Sequence, residues 1–272
     1  MRVLGICRFS YPALGGFKRM HDTVQDREAY LYSPERMELR FRHFETLTLA
    51  SIAAQRDPDF TFLVLVGDSL PKPYLDRLRD ITASVPQVRI VSRPPMKHRL
   101  AMQLVLQEEL AGTETESIQF RLDDDDAVGT NFIRSIRRTA RLSHKMWADW
   151  DNFVIEYSSG YAVRLGPEGI LAQPVQGQFL ACGLAVLFRP SDPKTVMNYG
   201  HHKLHLTMPT LIDPQSPMYL RAVHDDNDSR ASHSRLAPID DETRAFFQER
   251  FNVTEAAVRA AFCAPTVPPG KG

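Results

Sequence analysis

The run Phe60-Thr61-Phe62-Leu63-Val64-Leu65-Val66 constrains the fold more than any other stretch. It is short, almost continuously apolar, and bounded by Asp57-Pro58-Asp59 and Gly67-Asp68. A strand with one wet face alternates apolar and polar residues, so a strand without alternation is covered on both faces. Such a strand lies inside a sheet with helices above and below it. The neighbouring segments agree. Residues 2–7 read as a first buried strand, and Ser33 caps a helix with Pro34 at its first position and Glu35 just after. Phe41, Phe44, Leu47 and Ser51 fall at helical spacing and carry that helix to about Gln55. Pro71 opens a helix through Leu75, Leu78 and Ile81, Val88 to Val91 is a strand, and Leu100 to Leu110 is a helix closed by Gly112. Ser117 to Phe120 is a further strand, and Thr130 caps a helix bearing Phe132, Ile133 and Ile136. Strand and helix therefore alternate from residue 2 to about 142, which predicts a mostly parallel, doubly wound sheet flanked by helices.

After Trp150 the texture changes. Residues 152–157 and 161–165 flank Ser158-Ser159-Gly160 and read as an antiparallel hairpin. Cys182 to Phe188 is another buried strand, residues 198–213 are irregular and rich in His and Pro, and Met218 to Val223 is a short strand delivering His224-Asp225-Asp226-Asn227. Helices follow at Asp241–Phe247 and Glu255–Phe262, the second with an Asn252…Glu255 capping box. The chain thus divides into an α/β half (1–150), a smaller mixed-strand half of the same domain (151–262) and a flexible tail (263–272).

Four consecutive aspartates, Asp123 to Asp126, follow directly on the Ser117–Phe120 strand. Crowded carboxylates repel one another unless a cation sits among them, and oxygen ligands of this kind suit Mg²⁺ or Mn²⁺ together with substrate phosphates. Open α/β sheets place their ligands at such strand ends. The bland alternative is a solvated acidic turn. Arg121 points to the opposite face of its strand from Leu122, where it either pairs with a phosphate or makes a structural ion pair. The helical stripe Arg134, Arg137, Arg138 and Arg141 reads as a solvated face, with an acidic acceptor or a membrane surface as the second reading.

Composition excludes several classes. Lys plus Arg equals Asp plus Glu at 33 each, so nothing pulls the chain as a whole toward nucleic acid or membrane. Three cysteines, Cys7, Cys182 and Cys263, are few, odd in number and far apart, which fits a reducing compartment. The N-terminus begins like a core strand without a signal peptide's apolar stretch, and the longest apolar runs are too short to cross a bilayer. A cytoplasmic protein without a transmembrane segment is expected, with peripheral membrane contact as the most that the arginine stripe suggests.

The α/β half, the D-x-D run after its last strand, and the late strand ending in His together resemble a GT-A nucleotide-sugar glycosyltransferase. More narrowly, Arg8-Phe9-Ser10-Tyr11, the Arg40…Phe44 helix, Phe60 to Asp68, Arg121 to Asp126 and Val223 to Ser229 resemble a bacterial rhamnosyltransferase family over about residues 2–235. The resemblance implies a GT-A-like (Rossmann-like) central sheet with a smaller acceptor-binding half. It also implies a metal-dependent, inverting hexosyltransferase that moves a sugar, rhamnose among the candidates, from a nucleotide-diphosphate donor to a saccharide or glycolipid acceptor. By the same resemblance Asp123 meets the ribose or sugar, Asp125 holds Mn²⁺ or Mg²⁺ with Asp126 close by, and His224 is the late metal or diphosphate ligand. Asp124 fills a variable position. Asp68 and Arg8 resemble the strand-end positions that hold the base and the diphosphate of the nucleotide, and ordinary strand-end caps are their other reading.

The general base falls between the 182–188 strand and His224, a segment that contains His201, His202, His205 and Asp213 and departs from the common Glu-Asp signature. Either Asp213 or His202 serves, and retaining chemistry stays open. His201 and His205 at i, i+4 also suit zinc, against which stand the missing Glu partner and Pro209. Two other functions compete. Nucleotidyl transfer onto sugar phosphates uses carboxylate-held metals too, and Gly15-Gly16-Phe17-Lys18 is a faint echo of its phosphate loop. A non-catalytic divalent-metal or carbohydrate-binding protein is the third.

Overall fold

The computed structural model describes residues 1–15, 21–190, 192–224 and 235–265. Twelve strands are formed among them: β1 (Arg2–Arg8), β2 (Thr61–Gly67), β3 (Val88–Arg93), β4 (Ser117–Arg121), β5 (Asp126–Val128), β6 (Asn152–Tyr157), β7 (Ser159–Gly166), β8 (Gly169–Gln176), β9 (Leu184–Phe188), β10 (Thr210–Asp213), β11 (Tyr219–Ala222) and β12 (Ala237–Pro238). Seven of them make the main sheet in the order β10-β6-β9-β4-β1-β2-β3. Every neighbour in it is parallel except β9, which runs antiparallel to both β4 and β6. The other five form a smaller mixed sheet in the order β12-β8-β7-β11-β5. This is the mostly parallel, helix-flanked central sheet expected, with a smaller mixed-strand sheet beside it. No helix among the described residues is long and apolar enough to cross a membrane.

The period-2 geometry of the inner strands creates a core on each face. In β2, Phe62, Val64 and Val66 pack on one face with α2 (Pro34–His43), α4 (Lys72–Thr82) and α6 (Phe132–Leu142). Leu63 and Leu65 pack on the other with α5 (His98–Leu110). Residues 62–66 are all fully buried, as the unbroken apolar run requires. Helix α1 (Val24–Leu31) precedes α2, and α2 continues through a π-helical segment, Phe44–Leu49, into α3 (Ala50–Ala53). Within the π segment the Thr46 hydroxyl donates back to the Arg42 carbonyl at 2.6 Å, the kind of back-bonding that bends helices. A short α7 (His144–Trp147) follows α6, and α8 (Asp241–Phe251) and α9 (Glu255–Cys263) close the smaller sheet around Phe247, Phe251 and Val258. All three cysteines are free thiols.

Four local expectations change. Residues 152–157 and 161–165 do not form a hairpin. The chain passes at buried Ser158 from the main sheet into the smaller one, with Ser158 N–H donating to Asp213 C=O at 3.0 Å and its carbonyl accepting from Gly177 at 2.8 Å. The hairpin is β7–β8 instead, closed by the Gly166↔Gly169 pair. Residues 198–213 include a 3₁₀ helix, His201–Leu206, and the parallel strand β10. Asn252 is the left-handed C-cap of α8 at φ 57°, and Thr254 caps α9 by accepting from Ala257 N–H. In the arginine stripe, Arg134, Arg138 and Arg141 are exposed, whereas Arg137 is buried against Asp57 and the Asp59 and Met1 carbonyls.

At the centre of the main sheet Gly5 is registered against Phe62 on one side and Phe120 on the other. Their rings stack at 6.1 Å across it, and a methyl at Gly5 would lie 2.3 Å from Phe120 and 2.6 Å from Phe62. Gly5→Ala is expected to cost about 1–3 kcal/mol through overpacking. Gly166→Ala, with nothing within 4 Å of the added carbon, should stay within about 0.5 kcal/mol. Urea unfolding midpoints of the two variants test the contrast.

Candidate active site

The aspartate turn is moulded on the helix that precedes it. Thr48 Oγ1 donates to the Asp126 carbonyl at 2.9 Å and lies 3.3 Å from the Asp123 carbonyl. Ser51 Oγ accepts from Val128 N–H at 3.3 Å, and the Gln55 amide donates to Gly129 C=O at 2.9 Å while accepting from Ile133 N–H at 3.1 Å. The four carboxylates then part company. Asp123 is exposed, while Asp124, Asp125 and Asp126 are buried. Arg40 Nη1, on α2, donates to Asp124 Oδ1 at 3.0 Å and to Asp125 Oδ2 at 2.9 Å. Asp125 Oδ2 also meets His224 Nε2 at 2.8 Å, just beyond the end of β11. Asp126 turns toward the smaller sheet, where its Oδ1 accepts from Ala222 N–H at 3.0 Å.

Burial raises the pKa of all three inner carboxyls, and the neighbours decide the outcome. At Asp125 the His224 hydrogen bond and the Arg40 charge overcome burial and hold the carboxyl well below its usual range. At Asp124 burial prevails over Arg40, helped by the Asp125 charge, and the pKa is raised. Asp126 is pushed well up by burial and by Asp125 and Asp123. Behind His224 the His43 ring lies at 4.6 Å, its Nδ1 2.9 Å from the Leu39 carbonyl. Burial and His224 push His43 down to about 4, so it is neutral at pH 7.

Mn²⁺ or Mg²⁺ was expected on Asp125, Asp126 and His224. Two of the three meet, but at an oxygen that already takes a guanidinium, and the third bonds a backbone amide of the other sheet. Among the described residues no three His, Cys, Asp or Glu side chains are grouped to hold an ion. A divalent ion on that oxygen would have to displace the Arg40 guanidinium. The set as arranged does not fit the ion. Asp225, Asp226 and Asn227, and Gly16-Phe17-Lys18, lie outside the described residues.

The opposite face of β4 carries the opposite charge. Arg121 ends β4 on the face away from Leu122, as expected. Its pKa is lowered by burial, with Asp123 opposing and Arg99 and Arg8 within electrostatic reach. His98, the first residue of α5, is pushed down to about 4 by burial and by Arg8, Arg99 and Arg121. His201 is lowered by burial and Arg121, and it too feels Asp123. Arg8 closes β1, and the exposed Asp123 and Arg8 both act on Arg121 and His98. Asp68 follows β2 on the same sheet edge, exposed, and adds to the burial that raises the Tyr11 and Tyr32 hydroxyl pKa values.

The two candidate bases are set apart. His202 is exposed beside His201, their rings 5.5 Å apart and perpendicular. Asp213 lies on the edge strand β10, where its carboxylate accepts from Gln215 N–H at 2.9 Å and closes a turn. His201 and His205 do not pair: in a 3₁₀ helix residues four apart diverge, and His205 packs on Phe179 at 4.4 Å.

The family described as putative rhamnosyl transferase matches residues 2–236. The chain belongs to this family. Solved structures of TarS from S. aureus are similar at lower identity. TarS 1-349 in complex with UDP matches at 12% identity over 82% of this chain and 61% of that one, with a TM-score of 0.47. TarS 1-349 in complex with UDP-GlcNAc matches at 12% over 86% and 62%, with a TM-score of 0.46. The chain thus spans about three fifths of those chains, and likenesses this distant say nothing about donor or acceptor. No curated protein matches the chain.

Several members of this rhamnosyl transferase family site escaped the sequence. Arg40 entered only as part of the Arg40…Phe44 helix that carries the family resemblance, with no role of its own, whereas His98-Arg99 at a helix start after a strand was a legible anion-binding cue. Glu156 was legible too, as an acid inside the apolar strand β6. Its fully buried carboxylate accepts from the backbone N–H of Phe179, whose carbonyl meets His201 Nδ1. Phe179 sits at φ 56°, a conformation that a bulky residue holds only when its surroundings impose it. Burial pushes Glu156 up to about 7. The folded state therefore keeps this proton to a higher pH than the unfolded chain, and stability falls as pH rises between about 4 and 7. Glu156→Gln should remove that slope. Between pH 5 and pH 8 the wild type is expected to lose up to about 3 kcal/mol more than the variant, as read from urea midpoints.

Proposed function

We propose that this protein transfers a glycosyl group, rhamnosyl being the one its family description names, from a nucleotide-diphosphate donor to a hydroxyl of a saccharide or glycolipid acceptor. One observation carries the reading: Arg8, His98, Arg99 and Arg121 gather at one edge of the main sheet beside an exposed aspartate. Three guanidinium groups and the N-terminus of α5 make a site for a polyanion. A diphosphate fits that demand, and Asp123 is then placed to accept hydrogen bonds from ribose or sugar hydroxyls. Asp68, near Tyr11 and Tyr32, stands where the base of the nucleotide would extend along the edge.

In the reaction the acceptor oxygen bonds to the anomeric carbon as the bond from that carbon to the diphosphate oxygen breaks. The electron pair leaves with the nucleoside diphosphate, whose developing charge meets Arg8, Arg99 and Arg121. The acceptor proton passes to His202, the candidate base on the Asp123 side of the sheet. Inversion at the anomeric carbon follows from a single displacement of this kind.

Thermal-shift titration with UDP, GDP and dTDP tests the donor side. One of the three should stabilise the protein, by about 2.7 kcal/mol at a hundred times its Kd. Arg99→Ala, at an exposed position, should weaken that nucleotide about tenfold or more through loss of a charge-assisted contact. No shift with any of the three, or an unchanged Kd in the variant, would sink the reading.

A further inference from the structure

The first aspartate of the run and the two after it meet their positive charge from different elements. Asp123 is exposed with Arg121 within electrostatic reach, whereas its neighbours Asp124 and Asp125 are buried. That pair shares a single guanidinium nitrogen, Arg40 Nη1, at 3.0 and 2.9 Å, with all three side chains about nine-tenths buried. Arg36 adds its charge to the field at Asp124, and His224 completes Asp125. The two carboxylates are thus charge-balanced by resident side chains. Arginine suits the place because it stays protonated at any physiological pH and presents donors in a rigid fork.

Two further features hold Arg40 there. It lies on α2 one turn before the π segment, and that segment carries Thr48, which bonds the backbone of the same aspartate turn. Helix and turn are therefore fixed to each other at both the side chains and the main chain. The register leaves Asp123 alone exposed.

We propose that Arg40 occupies the cation position of the aspartate run, so that the protein binds its nucleotide-diphosphate ligand without a divalent metal and uses Arg40 as the positioning residue that presents Asp123. The ligand in this statement rests on the glycosyl-transfer reading; the place of Arg40 does not. Replacing Arg40 by a neutral side chain leaves two adjacent carboxylates beside His224 without their guanidinium, and their side chains can then close on Mn²⁺, which accepts oxygen and imidazole ligands. A divalent site should appear where the wild type has none.

The test is Mn²⁺ titration of metal-stripped protein, followed by the electron paramagnetic resonance signal of the free ion. Wild type is expected to take up no stoichiometric Mn²⁺ below about 1 mM, and Arg40→Gln to bind one ion about tenfold tighter or more. Arg40→Lys, which keeps the charge, should behave as wild type, and the gain should vanish in Arg40→Gln combined with Asp125→Asn. An arginine whose charge were balanced elsewhere would leave the metal affinity of these carboxylates unchanged on removal. The proposal is overturned if wild type binds one Mn²⁺ in the micromolar range and Asp125→Asn loses it, or if folded Arg40→Gln gains nothing. The wild-type titration decides even if Arg40→Gln fails to fold. In parallel, the Kd of whichever of UDP, GDP or dTDP binds should be the same within about twofold in EDTA and in Mn²⁺, and a metal requirement there overturns the proposal as well. Absence of nucleotide binding in both buffers overturns the donor reading, and the Mn²⁺ titration still decides the place of Arg40.

Discussion

One guanidinium holding two buried carboxylates is the interaction on which the site depends. Asp124 and Asp125 lie at the end of β4, inside the protein, where an unpaired carboxylate is costly. Arg40 reaches them from a helix 84 residues earlier in the chain. Such pairs add little net stability compared with an apolar core, but removing one partner strands the other. The pair therefore acts as a lock on geometry: helix, turn and strand end have one arrangement in which the charges are matched. Thr48, Ser51 and Gln55 extend the lock to the backbone of residues 123–133.

That lock sorts charge across the main sheet. On the α2 face sit the inner carboxylates with Arg40, His224 and a neutral His43. On the α5 face sit Arg8, His98, Arg99, Arg121 and His201. One strand supplies both because successive residues of β4 point to opposite faces, so Arg121 and Leu122 diverge and the turn that follows can belong to either side. The result is an edge with balanced charge on one flank and surplus positive charge on the other, next to a single exposed acid. That surplus makes the second flank the electrostatically favoured side for an anion.

Much of this was legible in residue order. Phe60 to Val66 announced a strand covered on both faces, and it is one. The Ser33–Pro34 start and the Phe41, Phe44, Leu47 spacing located the helix that became the template of the site. The aspartates fell at a strand end, and His224 arrived at one of them, as the late apolar strand suggested. Other features were not legible. Ser158-Ser159-Gly160 has the composition of a turn, yet the chain crosses there between two sheets, because Ser158 finds backbone partners on both sides. Asn252 matched a capping box three residues before Glu255, but a left-handed residue ending α8 left the cap to Thr254. Arg137 shared a stripe with three solvated arginines and is instead buried against Asp57.

The sequence by itself determined the elements and the places where charge would collect, because periodicity, caps and apolar runs are local properties of a few neighbouring residues. Only the tertiary structure decided what each charge would meet. Four adjacent aspartates look alike in the chain. They differ once folded because Arg40, Ala222, His224 and Arg121 approach from separate elements, brought together by the order of strands in two sheets. A pairing across 84 or 99 residues depends on that order, and no local pattern encodes it.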